Sequence, residues 1–151
     1  MPAKRFLIDA NLLVLFVVGR TDRRLIAKHR RLRQFSVEDY DRLVGMVGFV
    51  EEVVVTPNTL TETSNLLAQH NEPERSRFFD ELRHVIENSH EITVASVDAC
   101  RNRAFRRLGI ADAAVLELVS ATTPVLTVDL DLFIAASRKD PHAAVNFRHL
   151  P

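Results

Sequence analysis

The period of the apolar positions changes along this chain, and each change marks a switch between strand and helix. Phe6-Leu7-Ile8 is a short run of strand formers that predicts a strand over 4–9. The apolar stretch after Asp9-Ala10-Asn11, continuing through Val18, predicts a first helix. Ser36, with Glu38 and Asp39 in the first turn, starts a second helix whose Leu43, Val44, Val47 and Val50 recur at helical spacing. Val53-Val54-Val55 is the clearest strand signal in the sequence and predicts a second strand over 51–56.

Pro57 opens the next helix, running toward Gln69, and Pro73 opens another over 74–89 with Phe78, Phe79, Leu82, Val85 and Ile86 on one face. A third strand is expected over 92–95. Ser96 then caps a helix reaching Leu108, which Gly109 stops, and a further helix follows over 111–121. Residues 124–128 read as a fourth strand, 130–137 as a helix and 144–148 as a last strand. Strands that alternate with helices imply parallel pairing, because each return crossover needs a helix. The expectation is one α/β domain over 1–151, a three-layer α/β/α sandwich around a mostly parallel sheet of four to five strands. The stretch at about 20–50 is long enough to form a helical arm or insertion.

Composition narrows the class. Apolar residues make up 46% and charged residues 26% of the sequence, which suits a soluble globular protein. The single cysteine, Cys100, cannot close an internal disulfide, and no Cys/His pattern has zinc spacing, so a reducing cytoplasmic setting is expected. Lys4 and Arg5 before an apolar stretch mimic a signal peptide, but Asp9 and Asn11 interrupt it, and no apolar run is long enough to read as a membrane span. Net charge is zero, yet 20–33 holds seven Arg or Lys residues against Asp22 alone. Such asymmetry suits a patch facing a polyanion, with Arg23, Arg24, Lys28, Arg30 and Arg31 as RNA-binding candidates; for a charge run taken alone a solvated helix face is the simpler reading, because surface charge is cheap.

Ligands of open parallel sheets bind beyond the carboxyl ends of the strands. Asp9 follows the first strand, Asp129 follows the fourth, Glu62 lies in the first turn after the second, and Asp112 opens a helix after Gly109. Mg²⁺ or Mn²⁺ takes oxygen ligands and keeps waters, so carboxylates from separate elements suit it better than His or Cys. Carboxylates that converge would raise one another's pKa unless a cation neutralised them. A bound ion would activate a water toward a phosphodiester and stabilise the charge developing there. Each acid also has a structural explanation. Asp9 can cap the first helix, Thr59 and Glu62 have the T-x-x-E spacing of a capping box, and the helix dipole favours Asp112 where it stands. Between Asp129 and Asp131, Asp129 is the better ligand because it is nearer the strand end, while Asp131 would cap or solvate the next helix. Thr127 falls on the same side as Asp129 and could orient a carboxylate.

Taken in order, Phe6-Leu7-Ile8-Asp9-Ala10-Asn11-Leu12-Leu13, Thr61-Glu62-Thr63-Ser64-Asn65-Leu66-Leu67, Leu108-Gly109-Ile110-Ala111-Asp112-Ala113-Ala114-Val115-Leu116 and Val125-Leu126-Thr127-Val128-Asp129 resemble the PIN-domain ribonucleases, most closely the VapC-type toxins of toxin–antitoxin pairs. The resemblance spans nearly the whole chain. It implies a PIN-like fold, metal-dependent endonucleolytic cleavage of RNA, a homodimer and a cognate antitoxin. By position it implies Asp9, Glu62 and Asp112 as catalytic metal ligands, Asp129 as a fourth acid that often acts through water, and Asn11 and Thr127 as supporting polar groups. The long stretch between Asp9 and Glu62 departs from the compact members. Arg101, Arg103, Arg106 and Arg107 form a second basic run. Two other readings stand beside the nuclease. One is a non-catalytic PIN-like module binding RNA or protein; the other is a phosphatase using Asp129 and Asp131, whose motif would be expected after the first strand.

Overall fold

Strands form where β-branched and large apolar residues run together, and helices begin where a polar side chain can take the first free N–H groups. In chain order the elements are β1 (Arg5–Ile8), α1 (Ala10–Thr21), α2 (Val37–Phe49), β2 (Glu52–Val55), α3 (Pro57–Leu67), α4 (Glu74–Glu87), β3 (His90–Glu91), α5 (Ser96–Ala99), α6 (Phe105–Leu108), α7 (Ile110–Leu118), β4 (Val125–Thr127), α8 (Leu130–Lys139) and β5 (Ala144–Asn146). The computed structural model describes residues 5–149. Lys4, the expected start of the first strand, lies outside them.

The five strands make one sheet, all parallel, in the order β3-β2-β1-β4-β5. The chain builds outward from β1 through β2 to β3, then returns to the other side of β1 for β4 and β5. The strand order therefore reverses between β1 and β4, and a crevice opens at the carboxyl ends of those two strands. Side chains alternate across the sheet. Phe6, Ile8, Val55 and Leu126 join a large core with α1, α2, α3 and α4, whereas Leu7, Val54 and Val125 join a second core with α7 and α8. This is the three-layer α/β/α arrangement. Among the described residues no helix is long and apolar enough to cross a membrane.

Several expected boundaries move for identifiable reasons. β3 occupies His90–Glu91 rather than 92–95, because its partner β2 ends at Val55 and Thr56 then turns the chain into α3. Ile92 makes one more bond, donating to the Val55 carbonyl at 2.9 Å, and beyond it there is no strand to pair with. The helix expected from Ser96 to Leu108 is two single turns, α5 and α6. Asn102 interrupts it by accepting from Ala104 N–H at 2.9 Å and donating to Glu117 at 2.9 Å. Ser96 makes no capping bond; Ala95 holds the cap position. Ser36, by contrast, caps α2 through a full capping box with Asp39.

The basic stretch anticipated as an arm is a short 3₁₀ turn (Arg23–Leu25) followed by further turns. Its Leu25, Ile26, Leu32 and Phe35 are buried in the large core, so alternating apolar anchors draw it onto the body of the protein. Close packing of α1 on α2 requires Gly19, where a Cβ would meet the Tyr40 ring at 2.3 Å.

Candidate functional site

The crevice between β1 and β4 is where the acids gather. Asp9 follows β1 directly and is buried. Its Oδ2 accepts from the Thr127 hydroxyl at 2.7 Å, and its Oδ1 accepts from Ala10 N–H at 2.8 Å. A helix cap normally takes the second or third N–H of the first turn, so capping accounts for Asp9 only in part. Thr127, wholly buried, also accepts from Asp129 N–H at 2.9 Å, so one hydroxyl joins the ends of both strands.

Asp129 is the N-cap of α8, accepting from Leu132 N–H at 3.1 Å. Asp131, expected to cap or solvate that helix, is exposed within its first turn, and the capping role belongs to Asp129. The expected capping box also dissolves. Thr56, one turn earlier than Thr59, caps α3 by accepting from Thr59 N–H at 3.1 Å, which leaves Glu62 inside the helix without a capping role. Among the described residues its side chain makes no hydrogen bond. Asn11 is half-buried in the first turn of α1, likewise without a side-chain hydrogen bond.

Electrostatics ties these acids together. The half-buried carboxyl of Asp112 is pushed up to about 7, by desolvation first and then by Asp9, Asp129 and Glu62. Asp9 is raised by desolvation, against the lowering effect of its bonds to Thr127 and Ala10, with Asp129 adding to the rise. Glu62 is raised by desolvation, then by Asp9 and Asp129; the residue as a whole is exposed, so its shift carries less weight than that of Asp112. The four acids, drawn from the ends of β1 and β4, from α3 and from α7, thus sense one another's charge.

Beside them a groove of about 590 Å³ runs between α3 and the start of α7, with Glu62 and Asp112 in its lining. Asn58, Thr61 and Asn65 line it too. With Glu62 they follow i, i+3, i+4, i+7 spacing, a polar stripe on one helix face that sequence reading missed although the periodicity was there to find it. Gly109 sets the turn into α7 with φ of 87°, a conformation that favours glycine.

The donor chemistry of this site fits a hard divalent cation, since it is all carboxylate and its charges are mutually unfavourable. Among the described residues no three or more His, Cys, Asp or Glu side chains are arranged to hold a metal ion.

The basic stretch at 20–33 lies differently from the acids. Arg23 pairs with Asp41 at 2.6 Å, Arg24 with Asp22 at 2.8 Å, Arg20 with Glu81 at 3.1 Å, and Arg31 donates to Gln69 at 2.7 Å. Lys28 and Arg30 are exposed and make no such contact among the described residues. Much of the charge there is already answered within the fold. No protein-family model matches this chain, and no curated protein matches it.

Proposed function

We propose that this protein is a Mg²⁺- or Mn²⁺-dependent endoribonuclease that hydrolyses RNA phosphodiesters, acting as the toxin of a toxin–antitoxin pair. The observation that carries the reading is the gathering of four acids at the topological switch point, where Asp9, Glu62 and Asp112 are all raised and Asp112 is brought to about 7. An acid near neutrality can take or give a proton at working pH, and the same cluster would favour a bound cation. Asp9, Asp112, Asp129 and Glu62 would hold the ion, which would supply charge neutralisation at the phosphate and activation of water. Thr127 holds Asp9 in place through its hydroxyl, and Asn11 and the α3 stripe offer polar groups to orient the substrate. A homodimer, a cognate antitoxin and a cytoplasmic location belong to this reading through the resemblance to VapC-type toxins.

A second reading, a non-catalytic PIN-like module that binds RNA or protein, is favoured by the lack of a closed three-ligand set among the described residues. A Mn²⁺ titration separates the two. Saturable thermal stabilisation by Mn²⁺ that disappears in Asp9→Asn is expected for the enzyme, together with a loss of RNA cleavage on the order of 10²-fold or more in Asp9→Asn and Asp112→Asn. Indifference to metal, or cleavage at the parent rate in both variants, rejects the nuclease.

A further inference from the structure

A second groove, of about 760 Å³, lies between α6 and the carboxyl-terminal ends of α7 and α8. Arg101, Arg103, Arg107, Arg138 and Lys139 line it, facing the single carboxylate of Glu117. That carboxylate is already engaged by Asn102 at 2.9 Å. Lys139 is partly structural, donating to the Leu116 carbonyl at 2.9 Å. Among the described residues, Arg101, Arg103, Arg107 and Arg138 form neither an ion pair nor a hydrogen bond through their side chains. Four guanidinium groups from two separate parts of the chain therefore converge on one concavity with their donors free.

Arginine forks match phosphate oxygens, and a concave basic wall concentrates a polyanion. No aromatic side chain lines the groove, so bases have no stacking platform there and recognition would fall on the backbone. None of the exposed large apolar side chains lines it either, which disfavours a lipid surface. The chain passes directly from the lining of this groove to that of the acidic one. Arg107 lines the basic groove, while Leu108 and Gly109, next in the chain, line the acidic groove.

We propose that this basic groove grips the sugar–phosphate backbone of an RNA strand, independently of sequence, and leads it toward the acidic groove. That the strand is RNA rests on the nuclease reading; the phosphate grip rests on the groove's own arginines.

The test is binding of a fluorescein-labelled single-stranded RNA to the Asp9→Asn protein in chelator, followed by anisotropy across a salt series. Arg103→Glu combined with Arg138→Glu is expected to weaken binding at least about tenfold. It should also lower the slope of log K against log salt by about 1.4, since each phosphate left unneutralised on a single strand accounts for about 0.7. Arg106→Glu, on α6 beside Arg107 but outside the groove lining, is expected to bind as the parent does. Unchanged affinity and slope in the double variant overturn the proposal, as does equal weakening by Arg106→Glu, which would make the effect one of net charge. Displacement of the RNA by poly-glutamate at equal charge concentration would also overturn it, in favour of an acidic protein partner. Arg103→Lys with Arg138→Lys guards against misfolding, since retained charge should keep the salt slope. Should Asp9→Asn still cleave RNA, the nuclease assignment fails while this binding result stands or falls by itself.

Discussion

The two ends of α7 and α8 open on different grooves, and in α8 they carry opposite charge while α7 is acidic at both. At their amino-terminal ends stand Asp112 and Asp129, and there burial and the neighbouring acids raise the pKa of the Asp112 carboxyl. At their carboxyl-terminal ends stand Glu117, Arg138 and Lys139, lining a groove open to water. The helix dipole favours the polarity of α8, anions at the start and cations at the end, and disfavours Glu117 at the end of α7, but each such effect is only about 0.3–1 kcal/mol at a surface. Burial makes the larger difference. An acid withdrawn from water and set among other acids is held at a disadvantage by the fold, whereas a solvated arginine is held at almost none. Strain of the first kind indicates a place where a cation or proton is wanted, and free donors of the second kind indicate where an anion would be.

The contrast can be broken most sharply at Thr127. Thr127→Val keeps the shape but removes the hydroxyl that donates to Asp9 and accepts from Asp129 N–H. We expect a loss of about 2–3 kcal/mol in unfolding free energy by urea titration, the range for a buried bond to a charged group plus an orphaned N–H. A loss under about 0.5 kcal/mol would mean that Asp9 is not held through this hydroxyl.

Asp112→Asn comes next, with the opposite sign. The Asp112 pKa in the folded protein is about 7, above the usual 3.8, so the fold favours the protonated form. Stability is fully present well below the usual 3.8, where Asp112 is protonated folded or unfolded, and falls as pH rises toward 7. Asparagine stays neutral throughout. The variant should match the parent at about pH 3 and, measured without metal, exceed it at pH 8 by about 1–3 kcal/mol, less than the whole shift because the groove is open to solvent. Equal stability at both pH values would show that Asp112 is under no electrostatic strain. The smallest effect is expected in the basic groove, where Arg101→Ala should change unfolding free energy by no more than about 0.5 kcal/mol in the same titrations. A larger loss would show that its side chain supports the fold.

The two grooves also differ in how far the sequence disclosed them. Asp9 and Asp129 were legible because each directly follows a run of strand formers, and parallel sheets place such residues at the ligand-binding end. The Ser36 start of α2 was legible because its capping box is local. The Thr59 and Glu62 pair shows the opposite: the spacing of a capping box was present, but the chain enters α3 one turn earlier, at Thr56. The placing of β3 failed for a related reason, since a strand ends where its neighbour ends, and the end of β2 is not written in residues 90–95. The basic stretch at 20–33 drew attention as a charge run, yet its buried Leu25, Ile26 and Leu32 and its ion pairs show charge largely used within the fold.

What the sequence alone determined is periodicity: which segments pair as strands, which coil as helices, and hence an α/β sheet with acids at its carboxyl edge. These follow from local sterics and from burial of one face, which are read over a few residues. Only the tertiary structure decided which distant groups meet. Asp112 joins Asp9 across more than a hundred residues, and Arg138 joins Arg103 across two helices and a strand, because the order β3-β2-β1-β4-β5 folds those segments side by side. Charge interactions depend on distance through space and on the water excluded between groups, and neither quantity is carried by position along the chain.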